Sequence, residues 1–396
     1  MQPEPVAPPR WMPPPPPAPR AESLWHRLAA TLVLVAVVAA SAGAGIGWSL
    51  ARAIEAPSHS AAVATPSEAP IQSLPGGSPS SSLSASAVAA KVSPAIVNIN
   101  TTLAGGGTAA GTGQIVTSSG EILTNDHVVR GSTSITVSIQ GRAQTYPANV
   151  IAVNQAEDVA LIKIDGVSGL PTVKFADSSS LKVGDTVFAI GNKLGQGARV
   201  VNQGSVTALD QTVTASEGRS SSETLTGMIE SDAVIYPGDS GGALVNASGQ
   251  VVGMITAGQA TYRSSGSEVG YAVASNTALS VVNRIRAGEQ ASDLIYGQIG
   301  YIGVSAQTLT AADAARLGFN LSSGALIVGV QPGSAAEAGG ITPGSVITSV
   351  GGTAVTSTTA LGTAVKAHKP GEKVSVTFVN KTGTHTATIS LGAINP

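Results

Sequence analysis

The chain has 396 residues, a formal net charge of −2, 42% hydrophobic and 11% charged residues, 47 glycines, 23 prolines and no cysteine. That length and apolar content can fill more than one core, and the glycine-rich, charge-poor balance points to a turn-rich β protein with unstructured segments. Without a basic field to gather phosphates, nucleic-acid binding is not a leading class. The absence of cysteine removes disulfides, thiolate catalysis and cysteine metal sites, and leaves the compartment to be read from targeting signals.

Residues 1–27 are proline-rich, with an unbroken run from Pro13 to Pro17, and predict a polyproline-II-like tail. Residues 28–50 carry no charged side chain. As a helix at about 1.5 Å per residue they would span roughly 34 Å, enough to cross a hydrocarbon core. Arg10, Arg20 and Arg27 precede this stretch, and Trp25 and Trp48 stand near its ends. The positive-inside rule therefore places the tail in the cytoplasm and everything beyond Arg52 outside. Two readings of the span stay open: a retained single-pass anchor, or a cleaved signal peptide, because Ala39 to Ala44 offers small-residue cleavage sites. Residues 51–85 are dominated by Ser, Ala and Pro and read as a flexible stalk.

From residue 86 to 288 the pattern becomes short β-like runs separated by Gly, Asn, Asp and Ser turns, which suggests a sandwich or a pair of barrels. The runs include Glu121 to Thr124, Val159 to Ile164, Thr186 to Ile190 and Val251 to Thr256. A helix closes the segment, with Ser275 as its expected cap, Leu279, Val282 and Ile285 on one face, and Gly288 beyond its end. Residues 299–394 form a second, smaller unit with strands at Ala325 to Val330, Ser345 to Val350, Val374 to Val379 and Thr386 to Leu391, and a helix at Thr358 to His368.

The chemistry concentrates around Gly238-Asp239-Ser240-Gly241-Gly242. A serine is a useful nucleophile when a base takes its proton and backbone donors await an oxyanion, and glycines on both sides allow a tight turn that presents such donors. Alone, the same run is also an ordinary loop in a chain this rich in Gly and Ser. Of the five histidines, His26, His59, His368 and His385 fall outside residues 86–288, which leaves His127 as the available base. Asp158, at the start of an apolar strand and expected to be half-buried, is the best candidate to hold the imidazole tautomer. Asp126 rivals it by proximity but reads as a turn former, since adjacent residues diverge in direction.

Three blocks, Thr124-Asn125-Asp126-His127-Val128-Val129, Asp158-Val159-Ala160-Leu161 and Asp232 to Gly242, resemble in order and spacing the signature blocks of the HtrA (Deg) branch of chymotrypsin-like serine proteases. The stretch Ala208 to Val213 is similar to actinobacterial PepA-like members. The resemblance covers roughly residues 87 to 394. It implies a mostly β fold of two six-stranded antiparallel barrels followed by a PDZ domain, with His127, Asp158 and Ser240 as triad and Gly238, Asp239 and Ser240 at the oxyanion hole. It also implies a specificity pocket with Val234 as an uncharged floor and Thr256, Ala257 and Gly258 as wall, suited to small or medium apolar side chains.

Two departures stand out. Most relatives have Asn at the position of Asp239. No aromatic lies between Trp48 and Tyr146, where trimers of the family use such residues, so homo-oligomerisation stays open. Gly300-Tyr301-Ile302-Gly303-Val304 resembles the PDZ carboxylate-binding loop, which implies capture of peptide C-termini at Tyr301, Ile302, Gly303 and Val304. The expected substrates are unfolded or exported proteins, and no cofactor or metal is expected, because serine acyl transfer needs neither. The alternative is a chaperone-like or PDZ-mediated binding protein whose protease domain is weak or regulated.

Overall fold

The computed structural model describes residues 83–396, apart from residues 196, 198, 217–221 and 259–268. The tail at 1–27, the span at 28–50 and nearly all of the stalk at 51–85 lie outside the described residues. Among the described residues no helix is long and apolar enough to cross a membrane.

A short helix α1 (Ala85–Val92) starts where the Ser84 side chain accepts the Ala87 amide. It leads into β1 (Ile96–Leu103), β2 (Thr108–Ile115), β3 (Glu121–Thr124), the single-turn α2 (Asp126–Val129), β4 (Ser132–Ile139), β5 (Thr145–Asn154) and β6 (Val159–Ile164). These strands pair antiparallel in the order β5-β4-β1-β2-β3-β6. The first part of β5 pairs with β4 and the rest with β6, which brings the path back upon itself. Inward residues such as Val97, Ile99, Ile115, Ile122, Val137 and Ile162 are fully buried and fill the interior. Gly113 is required there, because a Cβ would lie 2.5 Å from Ile122 Cγ2 and 2.9 Å from Ile99 Cδ1.

A second set, β7 (Thr186–Asn192), β8 (Arg199–Ser216), β9 (Ser222–Ser231), β10 (Ala243–Asn246), β11 (Val251–Gly258) and β12 (Gly270–Ala274), closes into a six-stranded barrel. Helix α3 (Ser275–Arg286) follows at the predicted place. It buries Ala278, Val281, Val282 and Ile285 in a cluster shared with Leu161 and Met254, each large side chain worth on the order of 2 kcal/mol. Its cap differs from expectation: Ser275 is the first helical residue, and its hydroxyl donates to the Ala176 carbonyl instead of capping the helix. The strand β13 (Ile295–Tyr296) then adds to the edge of β5.

The C-terminal unit begins with β14 (Ile299–Tyr301) and β15 (Val304–Thr308), followed by α4 (Ala311–Leu317), β16 (Ala325–Val330) and α5 (Ala335–Ala338). Then come β17 (Val346–Val350), β18 (Thr353–Ala354), α6 (Thr358–Lys366), β19 (Lys373–Asn380), β20 (Gly383–Ser390) and β21 (Gly392–Ile394). Its sheet runs β15-β16-β17-β19-β20, and β21 pairs back onto β14. Helix α6 ends at Lys366, two residues before the predicted limit. After β21 the chain returns to the first barrel: Asn395 N donates to the Ser132 carbonyl at 2.8 Å, and Gly131 N donates to the Asn395 carbonyl at 2.9 Å. The Asn395 side chain also donates to Ser132 Oγ at 2.8 Å. Ser132 and Asn395 are buried, so the pairing of their polar groups is what makes the return energetically acceptable.

Candidate active site

His127 sits in α2, a single helical turn that follows β3. The turn is held by Asp126, which is fully buried and accepts from Arg130 Nε at 2.6 Å. Asp126 thus does more than form a turn. Asp158 lies immediately before β6 and is only 1% exposed, deeper than the half-buried position expected. It adopts a positive φ of 51°, an uncommon conformation for a residue with a Cβ and one that Asp tolerates better than most. Its Oδ1 accepts the His127 backbone amide at 3.0 Å, and Oδ2 lies 2.9 Å from His127 Nδ1. The Asn125 side chain holds the Asp158 carbonyl at 3.0 Å. One carboxylate therefore grips both the backbone and the ring of the histidine.

Thr256, expected in a pocket wall, also joins this constellation. Its hydroxyl donates to Asp158 Oδ2, and its carbonyl accepts from Ser240 Oγ at 2.9 Å. Thr256 belongs to β11 in the second barrel and Asp158 to the first, so this residue links the carboxylate to the serine across the two barrels. Nothing local in the sequence marks it, because the pairing joins residues 98 positions apart. Val234 is half-buried and its carbonyl accepts from Asn202 Nδ2 at 2.7 Å. Ala257 and Gly258 complete β11.

The loop carrying Ser240 is a turn closed by Asp239 N donating to the Tyr236 carbonyl at 3.0 Å. Pro237 in second place and Gly238 in third place with φ 96° give the type II pattern. The Asp239 amide is therefore spent within the turn and does not serve as an oxyanion donor. The amides of Gly238 and Ser240, in contrast, donate to no acceptor among the described residues. Gly241 has φ 84°, and a Cβ there would come within 2.0 Å of the Thr112 carbonyl.

Asp239 is 2% exposed. Its Oδ2 accepts the Tyr236 amide at 2.8 Å, and no described residue bonds to its Oδ1. Burial pushes its carboxyl up to about 6, against the opposing pull of the Tyr236 amide and the Lys193 charge. Lys193 rests over the Tyr236 ring, 3.7 Å from its centroid, a cation–π contact. No cluster of His, Asp and Glu able to hold a metal occurs among the described residues.

In the C-terminal unit, Ile302, Val304, Leu361 and Val365 line a groove of about 280 Å³ between β15 and α6, with Lys366 at its rim. Gly303 takes φ 80° and packs where a Cβ would lie 2.2 Å from that of Ser334. The amides of Ile302 and Gly303 donate to no acceptor among the described residues, whereas the Tyr301 hydroxyl donates to Gln331 Oε1 at 2.7 Å.

Residues 111–254 match the family described as trypsin-like peptidase domain, and residues 300–391 match the PDZ domain. A 275-residue stretch is 32% identical to the serine protease Do-like HtrA of Lactococcus lactis subsp. cremoris, covering 68% of this chain and 67% of the relative. The chain belongs to the HtrA family of serine proteases. The serine protease PepD of Mycobacterium tuberculosis is 32% identical over 327 residues, which cover 78% of this HtrA-family chain and 66% of PepD. A Haemophilus influenzae protein named as a periplasmic serine protease do/HhoA-like is 33% identical, over 72% of this chain and 58% of its own length. Against these relatives the chain thus spans between about three-fifths and two-thirds of their length. The solved HtrA-type protease AlgW with tripeptide is 29% identical over 79% of this chain and 98% of its own, with a TM-score of 0.47, a score at which the likeness in shape carries no weight.

Proposed function

We propose that this HtrA-family chain is a serine endopeptidase working outside the cytoplasm on unfolded or exported proteins. The observation that carries the reading is the bridge by Thr256, which bonds Asp158 through its hydroxyl and Ser240 through its carbonyl. It supports a constellation in which His127, Asp158 and Ser240 act together.

With Nδ1 directed at Asp158, the neutral imidazole carries its proton there and Nε2 is the basic nitrogen. The Ser240 hydroxyl turns from the Thr256 carbonyl toward Nε2, gives up its proton and attacks the scissile carbonyl. The oxygen that becomes negative is met by the Gly238 and Ser240 amides. The imidazolium then protonates the leaving amine, which leaves an acyl ester on Ser240, and water repeats the sequence to release the acid. Asp158 holds the Nδ1–H of His127 and stabilises the imidazolium. Val234 brings no charge to the base of the specificity pocket, so small or medium apolar side chains are the preferred residues before the cut.

The groove between β15 and α6 is the place for a peptide C-terminus, with its carboxylate on the Ile302 and Gly303 amides and its chain added beside β15. The Haemophilus relative's periplasmic naming supports an extracytoplasmic site of action. Residues 28–50, with the arginines before them, supply a single-pass membrane anchor.

The test is turnover of unfolded casein by the full chain beside its Ser240→Ala variant. The reading expects cleavage by the first, none by the second, and fluorophosphonate labelling only when Ser240 is present. Absence of both turnover and labelling would leave the chaperone-like binding reading in its place.

A further inference from the structure

Thr112, in β2, touches the serine loop from behind at several points. It is fully buried. Its Oγ lies 2.7 Å from the Gly238 carbonyl and 2.9 Å from the Asn192 amide. An amide can only donate, so Thr112 Oγ accepts from Asn192 and must send its single proton to Gly238. The Thr112 amide donates to the Ser240 carbonyl at 2.8 Å. Its own carbonyl accepts from Thr124 Oγ at 2.7 Å, and Thr124 ends the strand that leads into the His127 turn. A single residue of the first barrel thereby joins the base-bearing segment, the end of β7 and the serine loop.

We infer that Thr112 is a positioning residue for the reaction, its hydroxyl fixing the Gly238–Asp239 peptide so that the Gly238 and Ser240 amides stay presented to the oxyanion. That peptide is held at both ends, its carbonyl by Thr112 and its N–H by the Tyr236 carbonyl. The Ser240 carbonyl is held by the Thr112 amide. The acceptors of Gly238 and Ser240 are thus occupied from the β2 side, while their N–H groups meet no acceptor among the described residues and remain for the substrate. Removing the hydroxyl leaves two groups without their partner at once, the buried Asn192 N–H and the part-buried Gly238 carbonyl, and the loop is then free to rotate to satisfy them elsewhere. Gln114, two residues along β2, reinforces the same edge by donating to the Gly242 carbonyl at 2.9 Å.

This role rests on the endopeptidase reading above, and the experiment separates the two. Thr112→Val, Thr112→Ala and Thr112→Ser are compared in the full chain on a fluorogenic peptide taken from a casein cleavage site. Active enzyme is counted by end-point fluorophosphonate labelling. Loss of one direct oxyanion donor costs about 100-fold or more, so loss of its support should lower kcat about 10- to 100-fold in the Val and Ala variants, with KM within about threefold. Thr112→Ser should stay within about threefold of wild type. Undiminished kcat in Thr112→Val, or an equal fall in Thr112→Ser, overturns the role. If circular dichroism shows that Thr112→Val does not fold, the Ser and Ala pair, differing only in the hydroxyl, decides the matter. No turnover by the wild-type chain sinks the endopeptidase reading and this role with it. Wild-type turnover with an unaffected Thr112→Val sinks the role alone.

Discussion

Asp239 is a carboxylate in a place that suits a neutral side chain. Burial raises its carboxyl to about 6, above the ordinary carboxylate value that it regains on unfolding. A raised folded value means that the contribution to stability is complete below the ordinary value and is lost as pH rises through 6. At neutral pH the folded protein therefore carries an ionised group in a poorly solvated site, balanced in part by Lys193 and the Tyr236 amide. Asp239→Asn should accordingly melt several degrees above wild type at pH 7.5 and at nearly the same temperature at pH 4. Calorimetry at the two pH values checks this, and an equal shift at both would contradict it. Residue chemistry also explains what could be read without coordinates. Ser240, His127 and Asp158 stand in short runs whose composition announces them. Thr112 and Thr256 are plain threonines whose roles arise from partners 126 and 98 residues away, and no local pattern encodes such pairings.

Among elements, the shortest has the most to hold. Helix α2 is a single turn, too short to be stable by its own hydrogen bonds, yet it fixes the backbone of His127. The Asp126–Arg130 pair braces it, with the carboxylate fully buried and the guanidinium partly exposed. Arg130→Met takes away a cationic partner of a fully buried carboxylate and should destabilise the protein by about 3 kcal/mol. Adding Asp126→Asn to Arg130→Met removes the buried negative charge as well and should recover part of the loss. Urea unfolding of the two variants checks the order; a double variant less stable than the single would refute it. Several strands were legible because alternation and apolar runs mark them: β3, β6 and β16 begin and end where their patterns do. The α2 helix was legible only as a turn, since a single helical turn is too short to show a 3.6-residue period.

At the scale of the whole molecule, the C-terminal unit is attached to the first barrel on both sides, by β13 along β5 before it and by Asn395 on Gly131 and Ser132 after it. A change of pattern near residue 288 was visible in the sequence. The return contact was not, because Asn395 and Ser132 are 263 positions apart. Deleting residues 392–396 removes the partner of the Gly131 amide, so hydrogen exchange at Gly131 should accelerate, on the order of 10-fold or more if about 1.4 kcal/mol of local protection is lost. Unchanged exchange at Gly131 would show that the contact does not protect it.

Two fixed ends also change what capture means for a substrate. A domain on a loose tether offers its bound peptide at a concentration set by tether length. Here the separation between the β15–α6 groove and Ser240 is set by strand pairing instead. Under the proposed function, a peptide too short to bridge that separation is held at one place or cut at the other, but not both at once, and the fold would act as a ruler for the length of chain it can hold and cut together.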